Sequence, residues 1–237
     1  RIPNDPLFID QWALRKIQSP SAWDVETGSR DIIIAIADSG IDINHEDLKG
    51  NLWKNPGEVC DNGIDDDTDG YVDNCFGVDL VSGVGNPIDD NGHGTHISGI
   101  AGAVGNNATG TCGVNWGISL MALKFLGPDG SGDVGSEIEA IEFAMTNGAR
   151  VFNMSFGAYS FSQLEKEAIE TASNILFVAA AGNERYDNDM YPLYPASYNL
   201  PNIISVAASD QNDNLLYFSN YGKSSVDVAA PGIDVLS

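Results

Sequence analysis

Ile32-Ile33-Ile34-Ala35-Ile36-Ala37-Asp38-Ser39-Gly40 is a run of six small or branched apolar residues closed by an acid, a hydroxyl and a glycine. No polar residue alternates within it, so it reads as a strand buried on both faces. Further short apolar runs with turn residues at their ends follow at Ser119 to Phe125, Val151 to Ser155, Ile175 to Ala180, Ile203 to Ala207 and Val226 to Ala229. Helical periodicity occupies intervals between them: His93 to about Val104, Gly135 to about Asn147, and Ser162 to about Ser173 with Leu164, Ala168, Ile169 and Ala172 on one side. This alternation predicts an α/β fold, a mainly parallel sheet with helices on both faces. Sites in such sheets lie beyond the carboxyl ends of the strands, which brings Asp38, Ser155 and the Gly182-Asn183 pair to one edge. Residues 1–30, with Pro3, Pro6 and Pro20, read as an N-terminal arm that reaches a short helical piece around Trp23, and residues 31–237 as one domain.

Composition narrows the function. The chain has 237 residues, 43% of them hydrophobic, enough for a sizeable core, and no apolar run approaches the length of a membrane span. Eleven Lys and Arg against 34 Asp and Glu give a net charge of −23, which argues against nucleic acid as a partner. The acids concentrate between Asp61 and Asp90, a distribution that suits a cation. Three cysteines stand at positions 60, 75 and 112. A bridge between Cys60 and Cys75 would close the acidic loop, contribute about 3 kcal/mol and imply an oxidising, extracytoplasmic compartment; two buried thiols are the alternative.

Asp89-Asp90-Asn91-Gly92-His93-Gly94-Thr95-His96 places an accessible imidazole between two glycines. Acyl transfer by a serine enzyme needs such a base, a carboxylate to orient it and donors for the developing oxyanion. His93, Asp38 and Asn183 are the candidates for those roles. A strand-end Asp is commonly a turn residue, and Gly-Asn commonly a turn. His96 lies one helical turn beyond His93, but no HExxH pattern or third ligand supports zinc. His45 reads as a capping or surface residue.

Asp65-Asp66-Asp67-Thr68-Asp69-Gly70-Tyr71-Val72-Asp73 matches the opening of an EF-hand loop, with oxygen ligands at Asp65, Asp67, Asp69, the Tyr71 carbonyl and Asp73. The twelfth place is Phe76 rather than Glu, so an isolated Ca2+ loop is expected, with Asp61 or Asp79 supplying the absent carboxylate. An acidic surface loop without a metal is the alternative.

Taken together, Asp38-Ser-Gly-Ile-Asp, His93-Gly-Thr-His, Asn153-Met-Ser-Phe-Gly157, Ala179-Ala-Ala-Gly-Asn183 and Ala230-Pro-Gly232 resemble the subtilisin-like serine proteases, thermitase-like branch. The resemblance implies a subtilisin-like fold with Asp38 as orienting acid, His93 as general base and Asn183 as oxyanion donor. It implies an extended protein substrate pairing between Gly130-Ser131-Gly132 and Ser155-Phe156-Gly157, with Ala180, Ala181 and Gly182 lining the primary specificity pocket and Leu193 near its floor. That pocket is expected to favour medium or large uncharged side chains, with Glu184 tolerating basic ones. The nucleophilic serine is expected beyond Ser237; Ser39, Ser155 and Ser237 lack its context, so residues 31–237 read as a catalytic domain incomplete at its C-terminus, inactive and poorly stable alone. A second Ca2+ site is implied at Asp5, Asp47, Val104, Asn107, Thr109 and Thr111, in competition with a glycosylation sequon at Asn107-Ala108-Thr109. A secreted monomer with an inhibitory prodomain completes the expectation. The alternative is a subtilase-fold protein that binds peptides or calcium without catalysis.

Overall fold

A computed structural model describes residues 1–237. Seven strands form one parallel sheet: β1 (Ile33–Asp38), β2 (Gly77–Asp79), β3 (Ser119–Lys124), β4 (Val151–Met154), β5 (Leu176–Ala180), β6 (Ile203–Ser209) and β7 (Val228–Pro231). Their order is β2-β3-β1-β4-β5-β6-β7. The register aligns the strand ends on which the site depends. Asp38 pairs with Lys124 on one side of β1, and Ala37 with Met154 on the other. Met154 in turn stands beside Ala179 of β5, so residues 38, 155 and 181–183 emerge along one edge.

The apolar runs become strands because both sides of the sheet are covered. Three helices of the chain do this: α3 (His93–Gly102), α4 (Val134–Thr146) and α5 (Gln163–Thr171), after α1 (Trp12–Lys16) and α2 (Ser19–Ala22) near the N-terminus. On one face Ile36, Leu120 and Ala122 pack with Ile97 and Ala101 of α3. On the other, Met121, Phe152 and Phe177 pack with Ile141 of α4 and Ile169 of α5. Phe152 and Phe177 are wholly buried with ring centroids 5.2 Å apart, each contributing roughly 1.5–3 kcal/mol by burial. The first 30 residues join a third cluster in which Phe8, Leu14 and Trp23 enclose the Cys112 thiol. Burial pushes that thiol up to about 12, so it stays protonated and inert.

Three sequence expectations are corrected. Strand β2 was not foreseen. Leu176 of β5 and Val228 of β7 are exposed, so these two strands are not buried on both faces throughout. In α5 Leu164 faces solvent at 67% exposure, while Glu165 is buried with Ile169 and Ala172. The α4 and α5 starts are capped: the Asp133 carboxylate accepts from the Gly135 and Ser136 amides, and Ser162 from the Glu165 amide. Cys60 and Cys75 form a disulfide. No helix is long and apolar enough to cross a membrane.

Candidate active site

Asp38 ends β1 with no exposed surface, and His93 opens α3 with its ring half exposed. The His93 Nδ1–H donates to both Asp38 oxygens, at 2.8 and 2.9 Å, which leaves Nε2 with its lone pair facing the open side. This contact requires a bare backbone on the helix. A Cβ on Gly94 would lie 2.2 Å from the Gly40 carbonyl and 3.1 Å from the Asp38 Cβ, so only glycine lets α3 approach β1 this closely. The hydrogen bond His93 gives to Asp38 is the largest cause holding the ring above the ordinary imidazole value; burial opposes it, and the charges of Asp38 and Asp89 add to it.

The turns carrying these two groups are bound to each other. Ser39 Oγ donates to Asp89 and accepts from the Gly94 amide. Asp89 also accepts from the amides of Asn91, Gly92 and Thr95 and from the Thr95 hydroxyl. Burial works to raise the Asp89 carboxyl, but these bonds outweigh it and hold the group well below the usual carboxylate range. Lys124 completes the arrangement from the end of β3. Its buried ammonium donates to the Ser39 carbonyl at 2.7 Å, to Asp90 at 2.6 Å and to the Leu126 carbonyl at 3.0 Å. Sequence reading missed Lys124 and Asp89. The available signal was a lysine inside an otherwise apolar strand run, where an unpaired ammonium would be untenable.

Asn183 is exposed in the turn after β5 and lines a cavity of about 570 Å³ together with His93, Ser155, Ala180, Ala181 and Gly182. Leu193 lies behind Gly157 and Gly182. Glu184 accepts from the Tyr159 hydroxyl and from the Asn183 amide. The turn is held from beneath by Asn188, which donates to the Ala181 carbonyl, and by Asn220, which accepts from the Glu184 and Tyr186 amides. A second cavity, about 490 Å³, is lined by Gly130, Ser131, Gly132, Phe156 and Gly157. None of the three serines considered at sequence level is bonded to His93: Ser39 is engaged with Asp89, Ser155 accepts from Asn153, and Ser237 lies against Gly99.

In the acidic loop Glu58, Asp65 and Asp67 bring one carboxylate oxygen each within 4.8 Å of one another. Glu58 Oε2 is buried without a hydrogen-bond partner, as a metal-directed oxygen would be. Glu58, two residues before Cys60, thus joins the acidic loop as a carboxylate that sequence reading did not name beside Asp61 and Asp79. Asp79 accepts from the Val81 and Ser82 amides. Asp73 caps the Asn62 and Gly63 amides, and Asp69 accepts from the Tyr71 amide and the Asn74 side chain. At the other expected site, Asp5 and Asp47 are buried 4% and 2% exposed. Asp5 accepts from the Asn106 and Asn107 amides, while Asp47 accepts from the Asn107 side chain and the Thr111 amide. The Val104 amide donates to the Asp47 carbonyl and Asn107 accepts from the Thr109 amide. With its Nδ2 committed to Asp47, Asn107 is poorly placed to carry a glycan. His45 accepts from the Asp47 amide, and His96 Nε2 donates to the Val235 carbonyl.

Comparison with known proteins gives one answer. Residues 29–236 match the Subtilase family. Thermitase of Thermoactinomyces vulgaris is 40% identical over 97% of this chain and 73% of its own length. A thermophilic serine proteinase of Bacillus sp. strain AK1 is 38% identical over 99% of the chain, which spans about half, 52%, of that protein. A solved protease structure from Pseudoalteromonas arctica PAMC 21717 superposes with a TM-score of 0.79 at 29% identity, covering 98% of this chain and 73% of that one. The parallel sheet, the motifs at its edge and these matches agree: the chain belongs to the subtilase family of subtilisin-like serine endopeptidases.

Proposed function

We propose that the protein hydrolyses peptide bonds in extended protein substrates by an Asp-His-Ser mechanism in which Asp38, His93 and Asn183 are the groups supplied by these residues. The observation that carries this reading is the two-oxygen contact of Asp38 to His93 Nδ1. It fixes the tautomer in which Nε2 is a base. A serine hydroxyl, taken to lie outside these 237 residues, would give its proton to Nε2 as its oxygen bonds to the scissile carbonyl carbon. The carbonyl electron pair moves to oxygen, where the Asn183 carboxamide can donate. His93 then returns the proton to the departing amine, and water releases the acyl group by the same steps. An imidazolium formed on the way is stabilised by buried Asp38. The substrate backbone pairs with Gly130–Gly132 on one side and Ser155–Gly157 on the other.

Calcium fits the two acidic sites, Glu58, Asp65 and Asp67 in one, Asp5, Asp47 and Asn107 in the other. It would neutralise carboxylates that otherwise repel one another, tying down the loop and the N-terminal segment without entering the reaction. The disulfide supports a secreted protein.

The test is fluorophosphonate labelling of the full-length protein alongside peptide hydrolysis. Labelling and cleavage are expected in the natural sequence, with cleavage lost in His93→Ala. A folded full-length protein that takes up no label and cuts no peptide would be a binding protein on a subtilase scaffold.

A further inference from the structure

We propose that the second cavity is a subsite for a basic side chain of the bound peptide, an arginine or lysine whose charged head is received by Glu137 and Glu165. The inference rests on the peptide-cleavage reading and adds a substrate preference to it. The cavity lies between the two backbone edges assigned to the substrate, Gly130–Gly132 and Phe156–Gly157, where an extended peptide sends every second side chain inward. Its walls include Phe125, Phe156, Phe161 and Tyr194, suited to an aliphatic stem and to a cation over a ring face.

Three carboxyl groups line it, those of Asp133, Glu137 and Glu165, and no Lys, Arg or His does. Asp133 at the start of α4 is occupied with the Gly135 and Ser136 amides. Glu137 and Glu165, from the facing helices α4 and α5, are each only 4% exposed. Their carboxyls adjoin each other, and Glu165 also accepts from the Tyr198 hydroxyl at 2.7 Å. Glu137 Oε1, by contrast, is buried and has no partner at all. Two adjoining carboxyls out of water cannot both ionise, so the pair retains a proton. Burial first, and then the neighbouring Glu165, pushes Glu137 far above the usual carboxylate range.

For packing alone this arrangement is a poor choice, since two apolar side chains of similar volume would fill the space without an unpaired oxygen. A guanidinium or ammonium changes the balance. It would supply the donor that Glu137 Oε1 lacks and replace the retained proton, which leaves to solvent as both carboxylates ionise against the cation. No ionisable group of the cavity lining other than these three and Tyr194 faces that head, with the Tyr198 hydroxyl behind Glu165.

The experiment uses full-length protein and fluorogenic peptides in which each position within four residues of the scissile bond is varied among Arg, Lys, Leu and norleucine. Cleavage ratios are read within one enzyme preparation, so a variant's folded fraction cancels. At one position Arg or Lys should exceed norleucine by roughly tenfold or more in kcat/KM, carried mainly by KM, as a buried ion pair replaces an apolar contact. That ratio should rise from pH 6 to pH 9 and fall toward one in both Glu137→Gln and Glu137→Leu. Equal cleavage of Arg and norleucine peptides at every position would overturn the subsite while leaving the peptidase intact. So would a preference that persists unchanged in Glu137→Leu. Failure to cut any peptide would remove the cleavage reading itself, and the subsite with it.

Discussion

At His93 two pH effects run in opposite directions. The fold favours the protonated ring, so that stabilisation is complete below the unfolded imidazole value of about 6.5 and is lost as pH rises through the higher folded value. A general base must be neutral, so activity appears over the same interval in which that stabilisation fades. We expect an acid limb in kcat/KM centred above about 6.5. In Asp38→Asn the limb should move down and kcat fall by a factor on the order of 10⁴, because the carboxamide no longer enforces the Nδ1–H tautomer. A pH–rate series on the two proteins decides it. Lys124→Met leaves the Ser39 and Leu126 carbonyls without their donor and should lower unfolding free energy by roughly 2–4 kcal/mol, measured by chemical denaturation. Asp38 and His93 were legible because each carries its own glycine context. Lys124 and Glu58 were not, since what marks them is a set of partners drawn from remote segments: Ser39 and Asp90 for one, Asp65 and Asp67 for the other.

Helix α3 is the element on which the site's accuracy depends. Gly94→Ala would place a methyl within 2.2 Å of the Gly40 carbonyl, displacing α3 from β1. A shift of about 1 Å is enough to reduce kcat by roughly 10²-fold, and steady-state kinetics on a variant with an unchanged circular dichroism spectrum would show it. Asp89→Ala removes the acceptor of three backbone amides at the helix entry, so melting should record a loss of about 1–2 kcal/mol. Strand and helix positions were recoverable from apolar runs and period because most elements are covered on the side the pattern predicts. β2 escaped because Gly77-Val78-Asp79 is too short to show any period. The buried side of α5 was misjudged at Leu164 for a different reason: Glu165 turns inward to meet Glu137 and Tyr198, and no hydropathy pattern anticipates a carboxyl with a private partner.

Over the whole molecule, stability should depend on calcium. If the two acidic sites bind it, chelation of the full-length protein lowers the melting temperature, with about 2.7 kcal/mol at stake when calcium stands at 100 times Kd. Glu58→Gln should remove part of that dependence and leave the part due to Asp5 and Asp47. The Cys60–Cys75 bridge, spanning 15 residues, should add about 3 kcal/mol and hold the same loop in place, so reduction is expected to weaken calcium binding as well. Calorimetric titration with and without reductant separates the two.

Strand order has a temporal consequence. β1 lies between β3 and β4, both supplied from more than 80 residues further along the chain, and the imidazole arrives on α3, which precedes them in sequence. A half-folded chain therefore holds its acid and its base apart. The Asp38–His93 couple is thus a product of tertiary docking and forms only once α3 has closed on β1.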